Sequence, residues 1–262
     1  MFPTPGRILD KGECFNDEAL FEFLIVAWTD NSEFYISKLP QRDSPSLSLD
    51  DIDKLEAQPI PKEHMYPLWR VDITEVQTPL PSDVYIKINH GLVNYEGTPH
   101  LVELLNAEID ILETLAKNPH PNICKYYGCI RAGDYVAGIC LQRYKFTLAD
   151  IVEGKVPVDQ QPPFDADLVL LQIKAGLDWL HSLGLVHDDI NPRNIMLADD
   201  GHAVIIDFDS CTSIGAKSRG GTPGWSKRPK TAEVANDEHG FDLVARFVRG
   251  DYDGQDFAAF EM

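Results

Sequence analysis

The sequence predicts an α+β fold of two lobes with a cleft between them. Segments with strand character and one amphipathic helix dominate residues 66–143, and helical segments followed by a small strand hairpin dominate residues 144–262. A change from mainly strand to mainly helical patterning along a chain is typical of this fold class. At 262 residues the chain is long enough for one sizeable core or for two small lobes.

A small α/β extension is expected at residues 1–65. Residues 21–38 contain two apolar runs around the turn formers Asp30, Asn31 and Ser32, which predicts a hairpin, with a helix over 17–28 as the competing interpretation. Ser48 is placed to cap a short helix over 49–57. Residues 58–67 contain three prolines and are predicted to be a linker.

The small lobe, about 66–143, is predicted to contain four strands and one helix. The strands are expected at 70–76, 83–89, 122–130 and 134–144. Leucines and isoleucines at three- and four-residue steps predict a helix over 99–118.

The large lobe, about 144–262, is predicted to begin with helices over 146–152 and 165–183. Two short strands follow at 194–198 and 202–208, on either side of a tight turn at 199–201. A hairpin with so short a turn brings its entry and its exit together.

Charge and hydropathy exclude two classes of partner. The net charge of −19 argues against binding to nucleic acid or to an anionic membrane, because phosphate groups repel such a surface. The longest apolar run, at 23–28, is far too short to span a bilayer. The sequence does not predict an oligomeric state.

The cysteines favour an intracellular protein. An odd number of them is scattered without a CxxC pair, which disfavours both a zinc site and a disulfide framework (Cys14, Cys124, Cys129, Cys140 and Cys211). Reduced thiols, together with an N-terminus that lacks the layout of a secretory signal, predict a location in the cytoplasm or the nucleus.

Polar side chains gather around the hairpin of the large lobe. Asp189 and Asn194 lie in "HDDINPRN" at its entry, and Asp207 lies in "IIDFDS" at its exit. We therefore expect the three side chains to face one point. An Asp and an Asn that share a Mg²⁺ ion, beside an Asp that accepts a hydroxyl proton, suit phosphoryl transfer.

These motifs resemble those of the eukaryotic protein kinase superfamily, from about residue 70 to residue 242. The segment "HDDINPRN" stands where the family has H-R-D-L-x-x-x-N, and "DFD" at 207–209 stands for D-F-G. The other matches are "VYIK" at 84–87, "HPNI" at 120–123 and "GTPGW" at 221–225. The combination is most similar to divergent kinase-like proteins of fungi, and it implies a kinase-like two-lobed fold.

The resemblance also implies roles for individual residues, with ATP and Mg²⁺ as the cofactors. Asp189 is the expected base, Asn194 and Asp207 are the expected metal ligands, and Asn191 stands at the position of a catalytic lysine. Lys87, paired with Glu108, is expected to contact the phosphates. The segment from Gln142 to Tyr144, after the gatekeeper-like Leu141, is expected to meet adenine through backbone groups, and Asp237 to anchor the catalytic loop. His187 is expected to be a packed core residue.

The sequence departs from the family pattern at four places. Residues 70–83 contain no glycine, so the backbone there cannot approach phosphates as a Gly-rich loop does. Tyr85 replaces a small residue over the adenine, where its ring could stack on the base or fill its place. Asn191 removes a positive charge, and such a loss can cost on the order of 10²–10³ in rate. The acid of the A-P-E motif is absent or displaced to Glu233, and a shortened C-terminal lobe is expected.

A basic cluster flanks "GTPGW" within this acidic chain (Lys217, Arg219, Lys227, Arg228 and Lys230). It could attract acidic or phosphorylated peptides. A solvated, mobile loop is the favoured interpretation.

Three functions fit the sequence. The first is an ATP- and Mg²⁺-dependent protein kinase of the Ser/Thr type, with weak activity, that acts on a protein or peptide. The second is a catalytically impaired pseudokinase that serves as a binding module. The third is a small-molecule kinase, which Asp209 and the missing lysine favour and which "GTPGW" and "HPNI" disfavour.

Overall fold

The computed structural model of the chain describes residues 6–16, 18–30, 33–52, 54–88, 92–227 and 229–252. Its strands are β1 (Arg7–Phe15), β2 (Phe21–Asp30), β3 (Glu33–Leu39), β4 (Gln58–Ile60), β5 (Val84–Lys87), β6 (Tyr126–Ala132), β7 (Tyr135–Gln142), β8 (Phe146–Thr147), β9 (Leu185–Val186), β10 (Ile195–Leu197), β11 (Ala203–Ile205) and β12 (Thr212–Ser213). Its α-helices are α1 (His100–Lys117), α2 (Leu148–Val152), α3 (Ala166–Ser182) and α4 (Val234–Val248). This mixture confirms the predicted α+β class.

The chain divides into two compact units. The first contains the described residues within Met1–Gln77, Ile86–Ala107 and Gly128–Cys140, and the second contains those within Thr78–Tyr85, Glu108–Tyr127 and Leu141–Met262. Each unit therefore combines segments that are distant along the sequence.

A four-stranded antiparallel sheet of order β1-β2-β3-β4 belongs to the first unit. The predicted hairpin over 21–38 is confirmed as β2 and β3, although the turn residues Asn31 and Ser32 lie outside the described residues. The competing helix over 17–28 is wrong, because residues 21–28 are in β2. The sequence did not predict β1.

The predicted linker at 58–67 is wrong for residues 58–60, which form β4, and a short 3₁₀ helix follows at Lys62–His64. Pro59 is tolerated because β4 is at the edge of the sheet, where a missing N–H is not needed for pairing. The predicted helix after Ser48 is present as two 3₁₀ turns, Leu49–Asp51 and Lys54–Glu56.

Both faces of this sheet are covered, which explains the unbroken apolar run in β2. Leu24, Val26 and Trp28 pack on one face with Ile52, whereas alternate residues such as Ile25 pack on the other. A strand that is buried on both faces shows no polar alternation.

The core on the second face of the sheet contains residues from both sides of position 65, where the N-terminal extension was predicted to end. Phe34 and Ile36 pack there in the same cluster as Tyr66 and Leu92. Nearby, His64 Nδ1 lies 2.6 Å from the Tyr95 hydroxyl. The N-terminal strands are thus packed against the segment that leads into α1.

The predicted strand over 70–76 is wrong. Only an isolated parallel bridge forms there, between Glu75 and Cys129, while the small-lobe sheet has three strands in the order β5-β7-β6. At Gly128, whose φ is 118°, a Cβ would lie 2.7 Å from the Thr74 carbonyl oxygen. The glycine therefore lets the two backbones approach at one point instead of along a ladder.

The second unit carries the predicted hairpin as β10 and β11, in which Ile195 pairs with Ile205. Helix α3 confirms the predicted helix over 165–183, and the side chain of Asp165 caps it by accepting the Leu168 N–H at 3.1 Å. Asp165 is a favourable N-cap because its carboxylate satisfies an amide that has no partner inside the helix.

Asp237, in the first turn of α4, anchors the loop that precedes the hairpin. Its side chain is fully buried, at 0 % exposed. It accepts the backbone N–H groups of His187 at 2.9 Å and Asp188 at 2.8 Å, and His181 Nε2 lies 2.8 Å from its Oδ2. The anchoring role expected from the resemblance therefore has a direct structural basis.

Replacement of Phe34 by alanine should destabilise the first unit by about 3–5 kcal/mol, because a fully buried aromatic ring leaves a cavity. The change can be measured by urea denaturation followed by circular dichroism. Leu20→Ala, at a side chain that is 58 % exposed, is the control. Equal midpoints for the two variants would contradict the proposed core.

Replacement of Asp237 by asparagine should lower the free energy of unfolding by about 1–3 kcal/mol, because an NH₂ group would then face an N–H donor in a buried site. Asp242→Asn makes the same change at an exposed position of the same helix. Thermal unfolding that shifts equally in both variants would argue against the anchor.

Candidate functional site

The site begins at the loop that joins β9 to β10. His187 is fully buried, and its Nε2 donates to the Ile206 carbonyl at 2.9 Å, which confirms that it is a packed core residue. Asp188 follows with a φ of 67°, in the left-handed region that residues other than glycine rarely adopt. Both backbone amides bond to Asp237, so the conformation of the loop is set from α4.

The carboxylate of Asp189 is held by three donors. Its Oδ1 accepts the Thr222 N–H at 2.6 Å, and its Oδ2 accepts the Thr222 hydroxyl and the Asn194 Nδ2, each at 3.0 Å. An ionised carboxylate offers about four acceptor positions. These bonds fix the orientation of Asp189 and leave about one position for a further donor.

Asn191 stands at the position of the lysine in the family pattern, and its buried, uncharged side chain forms hydrogen bonds with neighbouring residues. Its Nδ2 lies 3.2 Å from the Thr222 hydroxyl and 3.3 Å from the Asp189 carbonyl oxygen, while its Oδ1 accepts the Arg193 N–H at 2.9 Å. The residue therefore links the loop to Thr222 and brings no positive charge.

The hairpin brings together the residues that flank it, Asn194 just before β10 and Asp207 shortly after β11. The Ile206 N–H donates to the Asn194 carbonyl at 3.0 Å, and Asp207 comes directly after with a φ of 64°. The Asn194 side chain uses its Nδ2 for both bonds to Asp189, which leaves Oδ1 as the atom that can bind a cation. Among the described residues, no group of three or more His, Cys, Asp or Glu side chains is arranged to hold a metal ion.

The backbone amides of the segment after Leu141 differ in their hydrogen bonds to the other described residues. The Gln142 N–H donates to Lys125 O at 2.9 Å and the Arg143 N–H to Asp83 O at 2.6 Å. Within the described part of the chain, the Tyr144 N–H has no such partner. The Tyr144 hydroxyl donates to Gln142 Oε1 at 3.0 Å, and burial raises the pKa of this phenol.

The side chains of Gln142 and Tyr144 line a cavity of about 460 Å³, together with His120, Cys124 and Tyr126. Asp189, Asn194 and Asp207 do not line it. This cavity is therefore separate from the carboxylate site.

Lys87 and Glu108 belong to different units. Lys87 is the last residue of β5 and is half-buried, whereas Glu108 lies in α1 and is buried. Their pairing stays a prediction. Tyr85 is 39 % exposed, and the Arg143 guanidinium lies 5.7 Å from its ring centroid.

Thr222 and the role of Asp188 were not predicted from the sequence. Thr222 lies in "GTPGW", so the motif marked the segment but not the residue that touches Asp189. At Gly221, a Cβ would lie 2.8 Å from Asp188 O and 3.0 Å from Asp189 Oδ1. Only glycine permits the segment to approach the loop so closely.

The basic cluster is exposed but partly tied down. Lys217 forms an isolated bridge with Thr231, and Arg219 Nη1 donates to Asp209 O at 2.7 Å. Arg228 lies outside the described residues. These two contacts hold Lys217 and Arg219, and the mobility of the loop stays a prediction.

Comparison with known proteins agrees with this geometry. Residues 92–232, more than half of the chain, match the family model described as "Protein kinase domain". Lys87 lies before the matched range, whereas Glu108, Asp189, Asn194 and Asp207 lie inside it.

Several curated relatives have similar sequences. The chain is 36 % identical over 124 residues to the Serine/threonine-protein kinase/endoribonuclease IRE1 of Hypocrea jecorina. The aligned segment covers 40 % of this chain and 10 % of that protein. It is 32 % identical over 111 residues to the Serine/threonine-protein kinase PSK1 of Saccharomyces cerevisiae (41 % of this chain, 8 % of that protein). It is 34 % identical over 109 residues to the Serine/threonine-protein kinase Tao of Drosophila melanogaster (40 % and 10 %).

The chain thus spans about a tenth of the length of these relatives. Among the described residues, none of the helices combines the length and the apolar character that crossing a membrane requires. The extent of the family match, together with the arrangement around Asp189, leads to one conclusion: the chain belongs to the protein kinase family.

Proposed function

We propose that this chain transfers a phosphoryl group from Mg·ATP to serine or threonine side chains of a protein or peptide. The observation that carries the proposal is the carboxylate of Asp189, fixed by Thr222 and Asn194 beside the hairpin that bears Asp207. Family membership and the names of the serine/threonine kinases similar to this chain support the same reaction.

Asp189 is the proposed base. A base must be held in a fixed orientation within hydrogen-bond reach of the hydroxyl from which it takes the proton. Three donors provide that orientation, and the remaining acceptor position suits one substrate hydroxyl. Thr222 is part of this support because it donates to both carboxylate oxygens.

Asn194, through Oδ1, and Asp207 are the proposed protein ligands of Mg²⁺. Mg²⁺ is commonly held by one or two protein oxygen ligands, with waters and substrate phosphates in the other positions, so this pair fits the ion. When bound, the ion neutralises charge that develops on the phosphates.

Adenine contact is proposed for the backbone of the Gln142–Tyr144 segment beside Leu141. The Tyr144 N–H supports this assignment: the described residues provide no backbone acceptor for it, and such an amide is available to a ligand. We also propose that Lys87 contacts the phosphates and pairs with Glu108.

A binding module without catalytic activity is the second candidate. Two observations favour it: residues 70–83 contain no glycine, and Asn191 supplies hydrogen bonds without a positive charge. Both features reduce the stabilisation that the protein can give to a transferring phosphoryl group.

Phosphoryl transfer to generic acidic and basic proteins should be lost in Asp207→Ala by roughly 10²-fold or more, because the metal would lose its only carboxylate ligand in the proposed site. Incorporation of radiolabelled phosphate measures this. Asp200→Ala alters an exposed acid at the other end of the same hairpin and should retain transfer. Equal incorporation by wild type and Asp207→Ala would remove the proposal.

Nucleotide binding separates the two candidates. Mg·ATP at 100 times its dissociation constant should stabilise the chain by about 2.7 kcal/mol, which appears as a higher melting temperature. The melting temperature should be higher with Mg·ATP than with ATP and a chelator. This difference should vanish in Asn194→Ala and persist in Asn118→Ala. No shift at millimolar nucleotide would leave the binding module as the better candidate.

A further inference from the structure

Asp188 is a buried acid at a position where the family pattern has arginine. In "HDDINPRN" it stands for the middle residue of H-R-D, and its side chain is 3 % exposed. Its backbone N–H is held by Asp237, and its φ of 67° turns the side chain away from the path of a regular strand. A charged group in such a place needs hydrogen-bond partners.

The partners of the Asp188 carboxylate come from two other parts of the second unit. Oδ2 accepts the Ser218 hydroxyl at 2.6 Å and the Arg219 backbone N–H at 3.2 Å. Oδ1 accepts Asn236 Nδ2, on α4, at 2.7 Å. All three donors are uncharged groups, and the Ser218 side chain is itself buried, at 8 % exposed.

Further contacts connect the Ser218 hydroxyl with the carboxylate of Asp189. The Ser218 hydroxyl accepts the Gly220 N–H at 3.1 Å, and Gly221 then packs against the Asp188 carbonyl. Thr222 comes next and donates to both oxygens of Asp189. Asp188 thus holds the start of a five-residue segment, 218–222, whose end orients the proposed base.

We propose that Asp188 is a positioning residue that docks the segment 218–222 on the catalytic loop without any phosphate, and that negative charge at Ser218 undocks it. This inference rests on the proposed function for its effect on catalysis. Where phosphorylation orders a kinase activation loop, the phosphate pairs with arginine. A carboxylate in that position repels a phosphate instead.

Electrostatics favour undocking by an added negative charge. A phosphoserine carries about −1.5 to −2 charges at pH 7. At Ser218 it would lie against the buried carboxylate of Asp188, whose backbone N–H is bonded to a second buried carboxylate, that of Asp237. The guanidinium of Arg219, the adjacent cation, is already bonded to the Asp209 carbonyl.

Limited digestion with trypsin tests docking without any need for catalysis, because Arg219 lies within the segment. Cleavage after Arg219, followed by mass spectrometry, should be slow in the wild type. It should be faster by roughly tenfold or more in Asp188→Asn and Ser218→Glu, because loss of a hydrogen bond to a charged group shifts a local opening equilibrium by about that factor. Ser218→Thr retains the hydroxyl and should be cleaved slowly.

Ser213→Glu is the matched control, because it adds the same charge to the exposed residue at the end of β12. Circular dichroism should show that every variant is folded. Cleavage of Ser218→Glu at the rate of Ser213→Glu would overturn the proposal. So would a wild type that trypsin cleaves faster after treatment with a phosphatase, because phosphate would then be needed for docking.

Activity provides the second readout. Relative to Ser213→Glu, Ser218→Glu should lower kcat/KM for a peptide substrate at least tenfold, while the thermal shift with Mg·ATP stays unchanged, because the nucleotide ligands are not in the segment. Unaltered kcat/KM would overturn the link to catalysis. Absence of transfer in every protein would instead overturn the proposed function, and the digestion would still decide whether Asp188 docks the segment.

Discussion

The arrangement around Asp189 depends on one buried carboxylate, that of Asp237. It accepts two consecutive backbone amides of the loop between β9 and β10, and it does so from a helix about 50 residues further along the chain. Hydrogen bonds from backbone N–H groups to a buried anion are stronger than those between neutral groups. They can therefore hold Asp188 at a positive φ, from which both Asp188 and Asp189 reach the segment 218–222.

Three carboxylates meet in this region of a chain with a net charge of −19, and neutral donors surround them. Hydroxyl, carboxamide and backbone N–H groups donate to Asp188 and Asp189, and two backbone N–H groups donate to Asp237. The site is therefore well ordered but strongly negative. A bound metal ion would add positive charge beside these carboxylates, and its charge is part of the electrostatics of the reaction proposed for this chain.

The N-terminal sheet also packs against residues that are distant along the sequence. Its second face shares a core with Tyr66 and Leu92, just before α1. Local patterns were insufficient to predict its edges. β1 contains Lys11 and Gly12 and has a shift in register between Ile8 and Asp10, and β4 contains a proline. Residues 70–76 have the alternation of a strand, yet only one bridge forms there, between Glu75 and Cys129, beside the close approach at Gly128.

The sequence by itself determined the α+β class, the helices α1 and α3, and the hairpin that brings Asp207 next to Asn194. These features follow from periodicity and from a short turn, which act between residues close together in the chain. Only the tertiary structure decided that Thr222 orients Asp189 and that Asp188 binds Ser218. These bonds join residues 30 or more positions apart, and small polar side chains give no periodic signal, so their partners depend on how α4 and the segment 218–222 pack against the loop.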